Sequence, residues 1–145
     1  MPYVLTVDQI SSRQRRDAVP AMLDRMATQF PDARATRTVG DEFQLLFVAE
    51  PVSVVDAILI LMRERSWHVG IGIGPVEEPI PSDLRAARGP AFLAAREAVE
   101  EAKERANHLC VIATPPAEQE GDDAEVLLDL LLTLRARRSE AGWAA

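Results

Sequence analysis

One cysteine, one tyrosine, one lysine and two histidines are all that 145 residues hold of those types, and the scarcity of cysteine and histidine narrows the chemistry open to the chain. Cys110 has no partner for a disulfide or a cysteine metal cage, and its setting in "HLCVIATP" marks it as a small buried hydrophobe. His68 and His108 both precede strand-like runs, share no metal-ligand spacing and read as structural. No Ser-His-Asp or Cys-His arrangement can be argued from the sequence. A net charge of -7 opposes nonspecific attraction to nucleic acid or anionic lipid, so an anionic ligand has to be held locally. No apolar run approaches the roughly 18 residues that span a bilayer. The start "MPYVLTVDQISSR" lacks the basic region and small-residue cleavage site of a signal peptide, so a cytoplasmic protein is expected.

What is present suits one globular domain, with 48% apolar and 27% charged residues. "YVLTV" at 3–7 is β-branched and apolar, a buried strand with Asp8 at its C-terminal end. Val19, Met22, Leu23, Met26 and Phe30 recur at helical spacing over 17–30, with Pro20 near the start and Pro31 as the stop. "ARATRTV" and "FQLLFVA" flank Gly40-Asp41-Glu42 as an antiparallel hairpin, and "PVSVVDAILILMRER" reads as a well-buried second helix. In "WHVGIGIGPV", Gly70, Gly72 and Gly74 alternate with apolar residues, a strand with one face stripped of side chains where a backbone or a ligand can approach closely. An irregular excursion with one short helical turn follows over "PVEEPIPSDLRAAR", then a helix over 90–106 and a strand at "LCVIA". "TPPAEQEGDDA" reads as a polar linker (114–124), and a leucine-rich helix occupies the C-terminal region (125–145).

The order β-α-β-β-α-β predicts an α+β, ferredoxin-like core over 1–113, one antiparallel sheet with helices on a face, extended by a further helix and strand. In that core the end of the first strand and the tip of the hairpin lie side by side, the first strand pairing with the hairpin strand that leads into the turn. Asp8 and Asp41 then converge. Two neighbouring carboxylates repel, and a hard cation such as Mg²⁺ with oxygen ligands resolves the conflict. The plain alternative is that Gly40-Asp41-Glu42 is only a turn.

"VDQISSR" resembles the strand-end metal motif of class III nucleotidyl cyclases, and "RTVGDEF" resembles their glycine-aspartate hairpin and the R-x-G-G-D-E-F signature of diguanylate cyclases. "HVGIGIGPV" is similar to the glycine-rich strand of both families, "GPAFLAAR" to the cyclase motif ending in A-A-R, and "AKERANHLCVI" to the A-K-x-x-G-x-N ending of diguanylate cyclases. Within this superfamily the whole pattern, with its GDEFQ hairpin and G-P-A-F helix start, resembles the SatD-like group. The resemblance implies a palm domain in which Asp8, Asp41 and the backbone carbonyl of Gln9 hold Mg²⁺. It places Arg96 at the transition-state phosphate, Lys103 at a phosphate, Arg37 near the base, and Gly40 in the turn beneath the ligand. It also implies a nucleotide ligand and a homodimer.

Two departures bear on turnover. Phe92 stands where cyclases place a ribose-orienting asparagine and cannot hydrogen-bond, and Val39 replaces the first glycine of the diguanylate signature. Members of the group can carry a helix-turn-helix after the palm, so DNA contact is expected only through a segment absent from this sequence. Three readings stand at this point: a regulatory or ligand-sensing domain with degenerate catalysis, an active cyclase-like enzyme, and a structural dimerisation module. Under the last, the leucine-rich final helix buries itself against a second chain and the acidic cluster is only a turn; residue by residue, the plain alternatives are that Asp8 caps a helix, Arg96 pairs with Glu100 and Lys103 is a solvated helix residue.

Overall fold

The computed structural model describes residues 1–10, 16–48, 51–115, 119, 121–125 and 128. The chain runs β1 (Tyr3–Gln9), α1 (Val19–Gln29), β2 (Arg34–Arg37), β3 (Glu42–Phe47), α2 (Pro51–Arg63), β4 (Trp67–Ile73), a 3₁₀ turn (Leu84–Ala86), α3 (Pro90–Ala102) and β5 (Leu109–Ala113). Each strand and helix expected over this stretch is found, including the short helical turn in the proline-rich excursion. α1 begins just before Pro20, where Asp17 Oδ1 accepts a hydrogen bond from the Val19 N–H at 3.1 Å, and Phe30 closes it ahead of Pro31. α3 stops at Ala102 rather than 106 because successive tight turns, Arg105 N–H to Ala102 O and His108 N–H to Arg105 O, bend the chain into β5.

The five strands form one mixed sheet in the order β2-β3-β1-β4-β5, antiparallel throughout except for the parallel β4–β5 pair. β1 is therefore central, but its hairpin neighbour is β3, the strand that leaves the turn, and not the strand that enters it. Composition explains the correction. β3 is buried along its whole length, whereas β2 carries Arg34 and Arg37, is only partly covered, and takes the sheet edge.

Alternation divides the side chains between two faces. Leu5, Val7, Phe43, Leu45, Phe47, Trp67, Val69 and Ile71 join Met22 and Met26 of α1 and Val54, Ile58 and Leu61 of α2 in the main core. Phe43 and Trp67 meet edge to face there, with ring centroids 5.5 Å apart. On the opposite face Val4 and Leu46 pack against Ala91, Phe92 and Ala95 of α3. The sheet is thus covered on both sides, and α3 has its own face.

The glycine strand is what lets α3 in. A Cβ on Gly70 would lie 2.1 Å from the backbone nitrogen of Val99, and one on Gly72 would lie 2.1 Å from the carbonyl oxygen of Ala91. The close-approach reading of "VGIGIG" is therefore met by a helix backbone. α3 answers with small residues, Ala91, Ala94, Ala95, Ala98 and Ala102 all being buried.

Residues 121–124, expected within a linker, are helical and lead without a break into Glu125, where the C-terminal helix is expected to start; Leu128 is buried in the main core. Glu125 Oε2 accepts from the Val111 N–H of β5 at 2.8 Å and pairs with Arg105. The rest of the expected C-terminal helix lies outside the described residues. Among the described residues no helix is long and apolar enough to cross a membrane.

Two alanine substitutions separate packing from backbone conformation. Gly70→Ala is expected to destabilise by about 3 kcal/mol or more, because the helix backbone above it cannot yield as a side chain could. Gly40→Ala meets nothing within 4 Å but must hold φ of 65°, and should lose only about 1–2 kcal/mol. Urea unfolding followed by circular dichroism measures both; comparable losses would contradict the packing account.

Candidate functional site

The polar ends of four strands line up on the α3 side of the sheet. Asp8 is directly opposite Glu42 on β3 and His68 on β4, and the parallel pairing of Val69 with Leu109 sets His108 beside His68. The result is a row of side chains, Glu42, Asp8, His68 and His108, crossing β3, β1, β4 and the start of β5. Over it hang Arg96, Glu100 and Lys103, spaced four and three apart and so on one flank of α3 and the turn that ends it.

The two layers are joined by ion pairs. Arg96 grips Glu42 with both terminal nitrogens, one of them 2.7 Å from Glu42 Oε2, in the bidentate fork that suits guanidinium and carboxylate. Thr38 Oγ1 also donates to Glu42 Oε2. Lys103 Nζ lies 3.1 Å from Asp8 Oδ2 and 3.1 Å from Glu100 Oε1. Glu42 is the best shielded of these groups, its side chain 11% exposed against 49% for Arg96. Burial works to raise the Glu42 carboxyl, but the hydrogen bonds from Arg96 and Thr38 outweigh it and hold the group below the ordinary glutamate value of 4.5. Burial likewise works to lower the Lys103 ammonium, and Asp8 and Glu100 more than compensate, raising it. Burial, reinforced by His108, pushes the His68 imidazole down.

The hairpin tip is tied to the end of β1, as expected. The Gln9 N–H donates to the Asp41 carbonyl at 3.2 Å. The Gln9 side chain is buried and braces the approach to α1, donating to Arg16 O at 2.8 Å and accepting from Ala18 N–H at 3.0 Å. Gly40 makes the turn at φ of 65°. Arg37 Nε donates to Gly40 O at 3.1 Å while its Nη2 reaches Asp17 Oδ2 at 2.8 Å, so this arginine buttresses the turn from the α1 side.

Of the residues singled out in the sequence, Asp8, Arg96 and Lys103 come together; Gln9, Gly40 and Asp41 form the adjoining turn contact, and Arg37 stands on its outer side. Neither Arg96 nor Lys103 is an isolated helix residue, and Asp8 faces Lys103. Three members of the row were not picked out. Glu42, not Asp41, is the strand-register partner of Asp8. His68 and His108 were set aside as structural, although each stands at the head of an apolar run, "HVGIG" and "HLCVI", a shared position that becomes adjacency once the strands are parallel. Among the described residues no three His, Cys, Asp or Glu side chains form a ready-made metal cage.

The molecule so far is an α+β domain whose mixed sheet ends in a carboxylate-imidazole row beneath a cationic helix flank. Its family follows from the sequence: the SatD family pattern matches residues 4–133, and the chain belongs to the SatD family. No curated protein matches it.

Because Glu42 has a lowered pKa, its contribution to stability is complete above the unfolded-state value near 4.5 and is lost as pH falls through the folded one. The stability difference between wild type and Glu42→Gln should therefore be greatest near neutral pH and shrink on acidification below pH 4.5. Denaturant midpoints at a series of pH values measure it, and a difference that grew on acidification would contradict the assigned sign.

Proposed function

We propose that this SatD-family domain is a regulatory, ligand-sensing unit that binds a nucleotide with Mg²⁺ on a ferredoxin-like palm core of the nucleotidyl cyclase and diguanylate cyclase kind, without cyclase turnover. The observation that carries the reading is the pairing of Asp8 with Lys103 and of Glu42 with Arg96, beside the junction of Gln9 and Asp41. Carboxylates for a cation and cations for phosphates are thereby gathered at one place. The β2-β3-β1-β4 part of the strand order supports the core assignment.

The donors suit Mg²⁺: the carboxylates of Asp8 and Asp41 and the Gln9 carbonyl are all hard oxygen ligands. Asp8 already carries a cationic partner in the Lys103 ammonium, which a bound Mg²⁺ would replace. Mg²⁺ would supply charge neutralisation and orientation of the phosphates. The chain's own part is an exchange of partners. Lys103 and Arg96 would turn from their carboxylates to phosphate oxygens, which would free Asp8 to hold Mg²⁺.

Phe92 supports sensing over turnover. It is packed in the core with Val4, Leu46 and Leu84, so the residue at the ribose-orienting position fills space and offers no hydrogen bond. The same reading includes a homodimer.

Isothermal titration of ATP and then GTP, with Mg²⁺, into wild type and Asp8→Ala/Asp41→Ala tests the proposal. Metal-dependent binding lost in the double variant is expected, with no cyclic or linear product in the recovered samples. Product formation would replace sensor by enzyme, and equal silence in both proteins would overturn the site. Glu42→Gln should bind about tenfold more tightly than wild type, equivalent to about 1.4 kcal/mol of pairing that Arg96 no longer has to give up.

A further inference from the structure

The far end of the row has a different chemistry from its carboxylates. His68 is the second residue of β4 and His108 immediately precedes β5. Their Nδ1 atoms lie 3.1 Å apart, with ring centroids at 4.8 Å and ring planes inclined by 59°. Two like nitrogens that close can share only one proton when both rings are neutral, so one presents a lone pair to the other. His108 also adopts φ of 56°, a left-handed backbone uncommon outside glycine. It is held there by its N–H to Arg105 O at 3.1 Å and by its carbonyl accepting from Val69 N–H at 2.9 Å. Backbone conformations of this kind concentrate where a side chain must be aimed.

The spacing is close to that of a chelate. Two metal–imidazole bonds of about 2.0–2.1 Å meeting at a tetrahedral angle set their nitrogens about 3.3 Å apart. Both rings are half-buried, open enough for an ion to enter. Asp8, next in the row, adds a negative charge, which the Lys103 ammonium partly offsets.

We propose that His68 and His108 form a two-imidazole site for a borderline divalent ion of the zinc and nickel class, separate from the oxygen ligands proposed for Mg²⁺. Nitrogen donors select such ions over Mg²⁺. No third His, Cys, Asp or Glu completes a cage among the described residues, so water fills the remaining positions and the ion keeps open coordination sites. This assignment does not depend on nucleotide binding.

The test is titration of ZnCl₂, and separately NiCl₂, into the tag-free full chain without Mg²⁺ or nucleotide, with ¹⁵N spectra of the imidazoles recorded for the Zn²⁺ series. Saturable binding of one ion per chain is expected, with both Nδ1 resonances shifting together and MgCl₂ leaving them unmoved. His68→Ala and His108→Gly should each weaken binding by about tenfold or more, equivalent to about 1.4 kcal/mol or more. The glycine variant suits the left-handed backbone and so tests the ligand without disturbing the turn. Absence of saturable binding to the wild type would overturn the site. So would binding that both variants retain, or imidazole resonances indifferent to Zn²⁺, which would leave the pair as a hydrogen bond alone.

Discussion

The seating of a helix backbone directly on a glycine strand determines where everything else in this domain can reach. With side chains at Gly70 and Gly72, α3 would stand off the sheet by the thickness of a methyl group or more. At its actual height, the short reach from α3 lets Arg96 close on Glu42 and Lys103 close on Asp8. Apolar packing thus sets the geometry of an electrostatic site. The alanines of α3 and the glycines of β4 are two halves of one fit, and neither has a catalytic or ligand-binding atom to offer.

Electrostatically the site is self-satisfied. Arg96 and Lys103 are each answered by a carboxylate from the sheet, and Glu42, the most shielded member, is answered twice, by Arg96 and by Thr38. Exposed pairs elsewhere, such as Arg85 with Asp83, hold little net free energy because water screens them. The pairs beneath α3 differ in being layered between a strand end and a helix flank. Opening them is uphill unless something of matching charge arrives to replace the lost partner.

Much of this was legible in the residues themselves. Period-two and period-3.6 patterns located the strands and helices, and the bare face of "VGIGIG" announced a close approach before its occupant was known. The meeting of the β1 end with the hairpin tip also followed from topology. What was not legible turned on register. Asp41 and Glu42 are adjacent, and one step along a strand exchanges the two faces, so only the pairing of Asp8 with Glu42 shows which carboxylate lies opposite it. The histidine pair required knowing that β4 and β5 run parallel, a contact between residues forty positions apart that no local pattern encodes.

The two margins of the sheet are finished differently. At β5 the amide of Val111 is already engaged by the Glu125 carboxylate, and Leu128 beyond it is sunk in the core. At β2 the margin is four residues long and carries two arginines. A capped border on one side and a short cationic border on the other deny a foreign strand the long, vacant ladder it would need to extend the sheet. Lateral growth of the sheet into open-ended aggregates is therefore disfavoured at both margins.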